Sequence, residues 1–156
     1  MGIVSLINSS ENGATEVPGT SNSSLFVFLA GPIRYWWTPG LEESYLYKTY
    51  SNMRDNLHEQ LSKEFLVYAP HRAWRGPWDE RAQALNDNVI RACDAVVYLD
   101  HPHIPAAGTS REREIAVSYK IPCLRVRFDG WYNYTTDLEY MKQHLLEMRK
   151  NLVQGN

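Results

Sequence analysis

The stretch LFVFLA, residues 25–30, is an unbroken apolar run between a pair of serines and the dipeptide GP. A short apolar run without polar alternation is typical of a strand that is buried on both faces of a parallel sheet. Residues 25–30 are therefore predicted to form the central strand of the fold.

Further strands and helices alternate along the chain after this one. Apolar residues at helical spacing predict a helix over 47–61, and Thr136 with Glu139 has the spacing of a capping box that opens a last helix towards Val153. Other helices are predicted around 82–93, with Ala82, Leu85, Val89, Ile90 and Cys93 inward, and from Gly108 to about Tyr119. The remaining predicted strands are EFLVYAP (64–70), DAVVYLD (94–100) and PCLRVRF (122–128).

This alternation predicts an α/β fold, a single-domain parallel-sheet sandwich with helices on both faces, flavodoxin-like or Rossmann-like. A chain of 156 residues fits one such domain, expected at 25–156. Serine, asparagine, glycine and threonine dominate residues 8–24, so a disordered polar tail is expected at 1–24.

The composition excludes several classes of function. With 44% hydrophobic residues, 22% charged residues and a net charge of -2, the chain has no basic field for gripping a nucleic-acid polymer. No apolar run approaches the roughly 18 residues of a membrane span, so no membrane partner is expected. Cys93 and Cys123 lie in apolar surroundings, which favours reduced thiols and a cytoplasmic location.

Three predicted loops at the carboxyl ends of the strands, where ligands bind in such folds, are rich in arginine, histidine and aromatic residues. They are GPIRYWW (31–37), PHRAWRGPW (70–78) and HPHIPAAGT (101–109). Arg34 could meet an anion or a sugar oxygen, or be an ordinary surface arginine. The tryptophans could stack on a base or only pack. The HPH triplet supplies two histidines without a Cys/His set at zinc spacing, so no metal is expected.

Glu112, in the segment AAGTSREREIAVSYK (106–120), has two interpretations. Thr109 and Glu112 have the spacing of a capping box, in which the glutamate bonds back to the backbone of the cap residue. Alternatively, a carboxylate in the first helical turn is held ionised by the positive end of the helix and placed as a nucleophile at the mouth of the cleft. The spacing alone leaves both interpretations open.

Three segments resemble the nucleoside 2-deoxyribosyltransferase superfamily, which includes related nucleotide N-glycosidases. They are FLAGPIR (28–34), NDNVIRACDAVVYLD (86–100) and GTSREREIA (108–116), in the family's order and at similar spacings. The last segment resembles the family motif Gly-Thr-x-x-Glu-x-Gly-x-Ala, which aligns Glu112 with the nucleophile. The resemblance covers residues 25 to about 150 and favours the nucleophile interpretation of Glu112.

The sequence departs from the family pattern at three positions. Glu114 stands where glycine is usual, and Ala106 stands where monophosphate-cleaving members carry a phosphate-binding serine. Asn86, with Asp87 beside it, occupies the place of an aspartate that orients the sugar and the leaving base. Phe28 stands where deoxyribose-selective members often have tyrosine, and its segment looks more like that of the cytidylate hydrolases, so the substrate class stays open.

Helical geometry allows only one of Asn86 and Asp87 to face the cleft, because neighbouring residues point about 100 degrees apart. We expect Asn86 inward, since Leu85, Val89 and Cys93 then keep their apolar stripe on the sheet. An inward asparagine orients the substrate but cannot act as an acid.

The resemblance implies cleavage of the N-glycosidic bond of a (deoxy)nucleoside, with transfer of the sugar through a glutamyl-glycosyl intermediate to another base. The alternatives are a nucleoside 5'-monophosphate N-glycoside hydrolase and a non-catalytic nucleotide-binding or sensing module. The expected catalytic residues are Glu112, Asn86 and Asp87. The residues expected to bind substrate are Phe28, Gly31, Pro32, Arg34, Tyr35, His71, Trp74, Gly108 and Thr109.

The expected partners are a nucleoside or nucleotide substrate and a free base, with no cofactor. The resemblance also implies a homodimer or a higher homo-oligomer in which a neighbouring subunit completes the site. The segment DGWYNYTTD (129–137) offers aromatic and polar side chains for that contact, or forms a surface turn before the last helix.

Overall fold

The computed structural model describes residues 24–30, 45–73, 79–100, 107–128 and 130–154. In this part of the chain four strands form one parallel sheet in the order β2-β1-β3-β4. The strands are β1 (Phe26–Ala30), β2 (Leu66–Tyr68), β3 (Ala95–Asp100) and β4 (Cys123–Arg127). The helices are α1 (Tyr45–Ser62), α2 (Pro70–Ala73), α3 (Glu80–Ala92), α4 (Ala107–Ser118) and α5 (Trp131–Gln154). The predicted α/β fold with a parallel sheet is confirmed.

The strand predicted as central lies inside the sheet, because β1 pairs with β2 on one side and with β3 on the other. Phe28 in the middle of β1 lies opposite Tyr68 of β2 and Val96 of β3. Its side chain is fully buried. A strand flanked on both sides and covered on both faces must be apolar throughout, as FVFLA is.

Different helices cover the two faces of the sheet. The cluster of buried residues under α1 and α5 includes Val27, Val97, Leu57 and Leu145. The smaller cluster under α3 and α4 comprises Phe28, Ala30, Ile90, Cys93, Val96 and Ala116. The fold is therefore a sandwich of three layers, with the sheet in the middle.

The last helix begins earlier than predicted. Gly130 adopts a positive φ of 141°, a conformation that glycine tolerates, and its carbonyl accepts a hydrogen bond from the Tyr134 amide at 3.0 Å. Tyr134 is fully buried and donates its hydroxyl to Asn56 Oδ1 at 2.7 Å. The predicted capping box at Thr136 is therefore wrong. The interpretation of 129–137 as a surface turn is also wrong from Trp131 onward, because these residues form the start of α5.

The apolar stripe of α3 differs from the predicted one at a single position. Ala82, Asn86 and Ile90 are buried at a spacing of four residues, and Asp87 lies beside them. Leu85 is 48% exposed, because it lies one position off that row. Its side chain lines an open apolar groove between α3 and the edge of the sheet.

Candidate functional site

Glu112 lies in the second turn of α4, the helix that follows the carboxyl end of β3. Its side chain is buried, with 5% of the residue exposed. Ala116, one turn further along the same helix, belongs to the cluster around Phe28. The sequence places Glu112 above this cluster because 112 and 116 share one helix face.

Asn86 of α3 forms a hydrogen bond with the carboxyl group of Glu112. It is 1% exposed, and its Nδ2 donates a hydrogen bond to Glu112 Oε2 at 2.5 Å. The contact agrees with the inward orientation predicted for Asn86, although Leu85 is not part of the stripe on which that prediction rested. Two oxygens of the pair, Glu112 Oε1 and Asn86 Oδ1, are buried without a hydrogen-bond partner among the described residues.

The capping-box interpretation of Glu112 is wrong. Helix α4 begins at Ala107, so Gly108 and Thr109 lie inside its first turn and Thr109 does not precede the helix. Glu112 bonds to Asn86 of a different helix, while Oε1 has no partner in the described part of the chain. A helix cap gives a carboxyl oxygen a hydrogen-bond partner. A buried carboxyl oxygen without a partner instead lowers the stability of the folded state.

Burial raises the pKa of Glu112 to about 8. The hydrogen bond from Asn86 lowers this pKa, and the negative charge of Asp87 raises it. The expectation that the helix terminus holds the carboxylate ionised is therefore wrong. Glu112 lies one turn inside the helix, and the loss of hydration dominates there. At neutral pH most molecules carry the neutral acid.

Asp87 points to a different neighbour. Its Oδ2 accepts a hydrogen bond from Arg111 Nη2 at 2.9 Å, and its Oδ1 accepts one from Gln83 Nε2 at 3.0 Å. The guanidinium of Arg111 is half exposed, so this ion pair lies at the surface of the α3–α4 contact. Asp87 thus acts on Glu112 through its charge, while Asn86 touches it. Arg111 was not among the predicted residues.

Two aromatic rings pack in the cluster that Ala116 of α4 joins. Phe28 and Tyr68 stack with their ring centroids 5.7 Å apart and their planes inclined by 28°. Tyr68, at the end of β2, is half-buried against the cluster that contains Phe28 and Ala116. Burial, followed by the charge of Glu112, raises the pKa of the Tyr68 phenol. Tyr68 was not among the residues predicted from the sequence, although a tyrosine that ends a strand next to the central one was the available signal.

His71 lies in α2, where it contacts α1. Its Nε2 lies 3.3 Å from Asp55 Oδ1, and its ring meets the His58 ring edge to face at 6.3 Å. Burial, with the positive charge of Arg54, lowers the pKa of His71 to about 4, against the raising effect of Asp55. The imidazole is therefore neutral at pH 7. These contacts do not bring His71 to Glu112, and its predicted role in substrate binding stays a prediction.

Several predicted substrate-binding residues lie outside the described residues. These are Gly31, Pro32, Arg34, Tyr35 and Trp74. Of Gly108 and Thr109 only the helical backbone is described. The histidines of the HPH triplet, residues 101–103, also lie outside the described ranges.

Two further findings concern the described ranges as a whole. In them, no group of three or more His, Cys, Asp and Glu side chains is placed to hold a metal ion. None of their helices combines the length and the apolar character that crossing a bilayer requires.

The fold and the site define a three-layer α/β protein with a buried, asparagine-bound carboxyl group near the carboxyl edge of the sheet. No protein-family model matches the chain, and no curated protein matches it. A conserved protein from Enterococcus faecalis V583 has 22% sequence identity and a TM-score of 0.48, over 85% of this chain and 88% of that one. A 2-desoxiribosyltransferase from Leishmania mexicana has 21% identity and a TM-score of 0.42, over 67% of this chain and 65% of that one.

These similarities are too low to identify a family. The two structures are neighbours of this chain, and the function has to be argued from its own site.

Proposed function

We propose that the protein cleaves the N-glycosidic bond of a (deoxy)nucleoside and transfers the sugar to another base, with Glu112 as the nucleophile. The observation that supports this proposal is the state of Glu112 Oε1, an oxygen of a buried carboxyl group that has no partner among the described residues. Enzymes leave such an atom unpaired when a substrate supplies its partner, because an unpaired buried oxygen only costs stability.

The proposed reaction proceeds in two displacements. The ionised Oε1 bonds to the anomeric carbon as the bond from that carbon to the base nitrogen breaks, and the departing nitrogen takes the electron pair and then a proton from water. A nitrogen of the second base then attacks the same carbon, gives up its proton to water and releases the Glu112 carboxylate. Two inversions give net retention. Water in place of the second base would give hydrolysis, the outcome for a nucleotide N-glycosidase.

Asn86 would hold the nucleophile in position during both steps. Its Nδ2 fixes Glu112 Oε2, which leaves Oε1 as the attacking atom. Its own Oδ1 is unpaired in the described part of the chain and can accept a hydrogen bond from a sugar hydroxyl. An amide cannot transfer a proton to the leaving base, so bases that leave without strong protonation should be the better substrates.

The rival proposal is a non-catalytic module that binds or senses a nucleotide. Two observations favour it, the neutral state of Glu112 at pH 7 and an amide in contact with that residue. A neutral carboxyl donates and accepts hydrogen bonds without being a nucleophile. Such a module would gain thermal stability from its ligand by mass action and leave the ligand intact.

Chromatography of incubated ligands separates the two proposals. The protein is incubated with deoxynucleosides and an acceptor base, and separately with nucleoside 5'-monophosphates, at pH 7 and pH 9. Exchange of bases supports the transferase, and release of base from monophosphates supports the hydrolase. Thermal stabilisation by a ligand that stays uncleaved at both pH values would leave only the binding module.

We also propose that the protein forms a homo-oligomer, as the resemblance implies. Residues 131–137 contribute less to this than their composition suggests, since Tyr134 is committed to the core. Asp137 is likewise committed to Arg127, whose Nε lies 2.9 Å from its Oδ2. Light scattering at micromolar concentration tests this proposal, and a monomer would contradict it.

A further inference from the structure

The ionised form of Glu112 needs a second hydrogen-bond donor. Asn86 supplies one donor to Oε2, and the described residues give none to Oε1. A buried carboxylate with a single donor is poorly stabilised, because several donors normally replace its lost hydration. The group that supplies the second donor would set the fraction of Glu112 that is ionised, and therefore reactive, at a given pH.

The parallel register brings Tyr68 to the cluster of buried residues beneath Glu112 and Asn86. Phe28 packs in one cluster with Ala116, which lies on the same helix face as Glu112, and with Ile90, which lies on the same face as Asn86. Tyr68 is paired with Phe28 in the sheet and stacks on its ring. Phe28 itself has no polar atom to offer.

We propose that the Tyr68 hydroxyl is the second donor, and that it forms a hydrogen bond to Glu112 Oε1 when the carboxylate ionises. After burial, the charge of Glu112 is the second cause of the raised pKa of the Tyr68 phenol, which is consistent with the proximity that the packing gives the two residues. Tyr68 is half-buried, so water can solvate the phenol while Glu112 is a neutral acid. In this role Tyr68 is a positioning residue that acts through Glu112.

Other charged groups near Glu112 have partners of their own, although Arg113 Nε is buried without a hydrogen-bond partner among the described residues. Asp87 of α3 is bonded to Arg111, and Arg113 of α4 lies over the Tyr98 ring at 4.4 Å with its Nη1 3.2 Å from the Tyr98 hydroxyl. Asp87 is an acceptor and opposes ionisation of Glu112. The Tyr68 phenol is the donor that we assign to this charge, and Arg113 Nε is the competing donor that an unchanged pKa in Tyr68→Phe would favour.

The test measures the ionisation of Glu112 directly, by the pH dependence of its carboxyl carbon signal in nuclear magnetic resonance. Tyr68→Phe removes the donor and keeps the ring, and it should raise the pKa of Glu112 by about one unit, because the carboxylate loses one charge-assisted hydrogen bond. Tyr119→Phe, at the far end of α4, is the matched loss of one phenol hydroxyl and should leave that pKa unchanged. Equal pKa values in all three proteins would overturn the proposal.

A reciprocal measurement covers a Tyr68→Phe protein that fails to fold. In Glu112→Gln, the ring carbon signal of Tyr68 should titrate at a lower pH than in the wild-type protein, and an unchanged titration would contradict the bond. The consequence for turnover rests on the proposed function. Tyr68→Phe should reduce turnover about tenfold at pH 7 and recover above the new pKa. A shifted pKa in a protein that turns over nothing would reject the proposed function and keep the Tyr68 bond.

Discussion

The two faces of the sheet differ in which polar groups they bury. Under α1 and α5, the Tyr50 hydroxyl donates to the Leu99 carbonyl at 3.0 Å, and the Tyr134 hydroxyl donates to Asn56 at 2.7 Å. Under α3 and α4, Glu112 and Asn86 bond to each other, and each keeps one oxygen without a partner in the described part of the chain. Ser51 Oγ of α1 is also buried without a partner among the described residues, so what distinguishes the α3–α4 face is that its unpartnered oxygens belong to a carboxyl group and to the amide bound to it.

The largest expected effect is the loss of activity on the α3–α4 face. Glu112→Gln keeps the shape and the bond partner Asn86 but cannot attack the anomeric carbon, so turnover should fall about 10³-fold or more. Glu114→Gln, an exposed position on the same helix, is the matched control and should retain activity. Initial rates of base exchange measure both. Similar losses of activity in Glu112→Gln and Glu114→Gln would contradict the assignment of Glu112 as the nucleophile.

The largest loss of stability is expected on the other face. Leu145 of α5 is fully buried, and Leu145→Ala should lower the free energy of unfolding by about 2–5 kcal/mol, because a cavity adds to the lost transfer energy. Val117→Ala, at an exposed position of α4, should cost less than about 0.5 kcal/mol. Urea unfolding gives both values. A loss of turnover in the folded fraction of Leu145→Ala would contradict this prediction, because it would indicate an active site on the α1–α5 face.

The pH dependence of stability should differ between wild type and Glu112→Gln. The folded pKa of Glu112, about 8, lies above its ordinary value of 4.5, so the stabilisation is complete below pH 4.5 and is lost as the pH rises through 8. Relative to Glu112→Gln, the wild-type protein should therefore lose about 4 kcal/mol between pH 5 and pH 9.

The comparison with the variant is needed because His71 has the opposite effect. Its lowered pKa of about 4 makes stability rise between pH 4 and pH 6.5 in both proteins. Urea unfolding across the range measures the difference between the two curves. A constant difference would show that Glu112 is not buried as the neutral acid.

The smallest expected effects come from the neighbouring pair on α3. Asn86→Asp places a second carboxyl against Glu112, where the two share a proton that can reach the leaving base, and turnover should rise about tenfold. Asp87→Asn removes a charge that opposes the ionisation of Glu112, so turnover should change little and its pH limb should move slightly downward. A collapse of turnover in Asp87→Asn alone would exchange the roles assigned to the two residues.

Much of the fold could be predicted from the sequence because its strands are continuous apolar runs. LFVFLA and DAVVYLD have no other stable place than the inside of a parallel sheet, and both lie there. The helix ends were harder. Thr109 and Thr136 each have a glutamate three residues later, as a capping box requires, yet neither begins its helix. At α5, the burial of Tyr134 contributes more to the stability of the fold than a cap at Thr136 would.

Part of the site could also be predicted from the sequence. Helical spacing places Asn86 in a row with Ala82 and Ile90, which indicates an inward side chain. The partner of that side chain depends on how α3 packs on α4. The spacing of residues along one helix gives no information on that packing. Tyr68 enters through the register between β1 and β2, and its link to Glu112 is likewise a property of the assembled fold.

The central claim is that Glu112 becomes covalently attached to the sugar. The direct measurement is the mass of the intact protein, quenched in acid after brief incubation at pH 9 with a deoxynucleoside and no acceptor base, followed by peptide mapping. The proposed mechanism predicts an added mass of one deoxyribosyl group, located on Glu112 and absent from Glu112→Gln. Release of base with the protein unmodified, or a label that persists in Glu112→Gln, would contradict it.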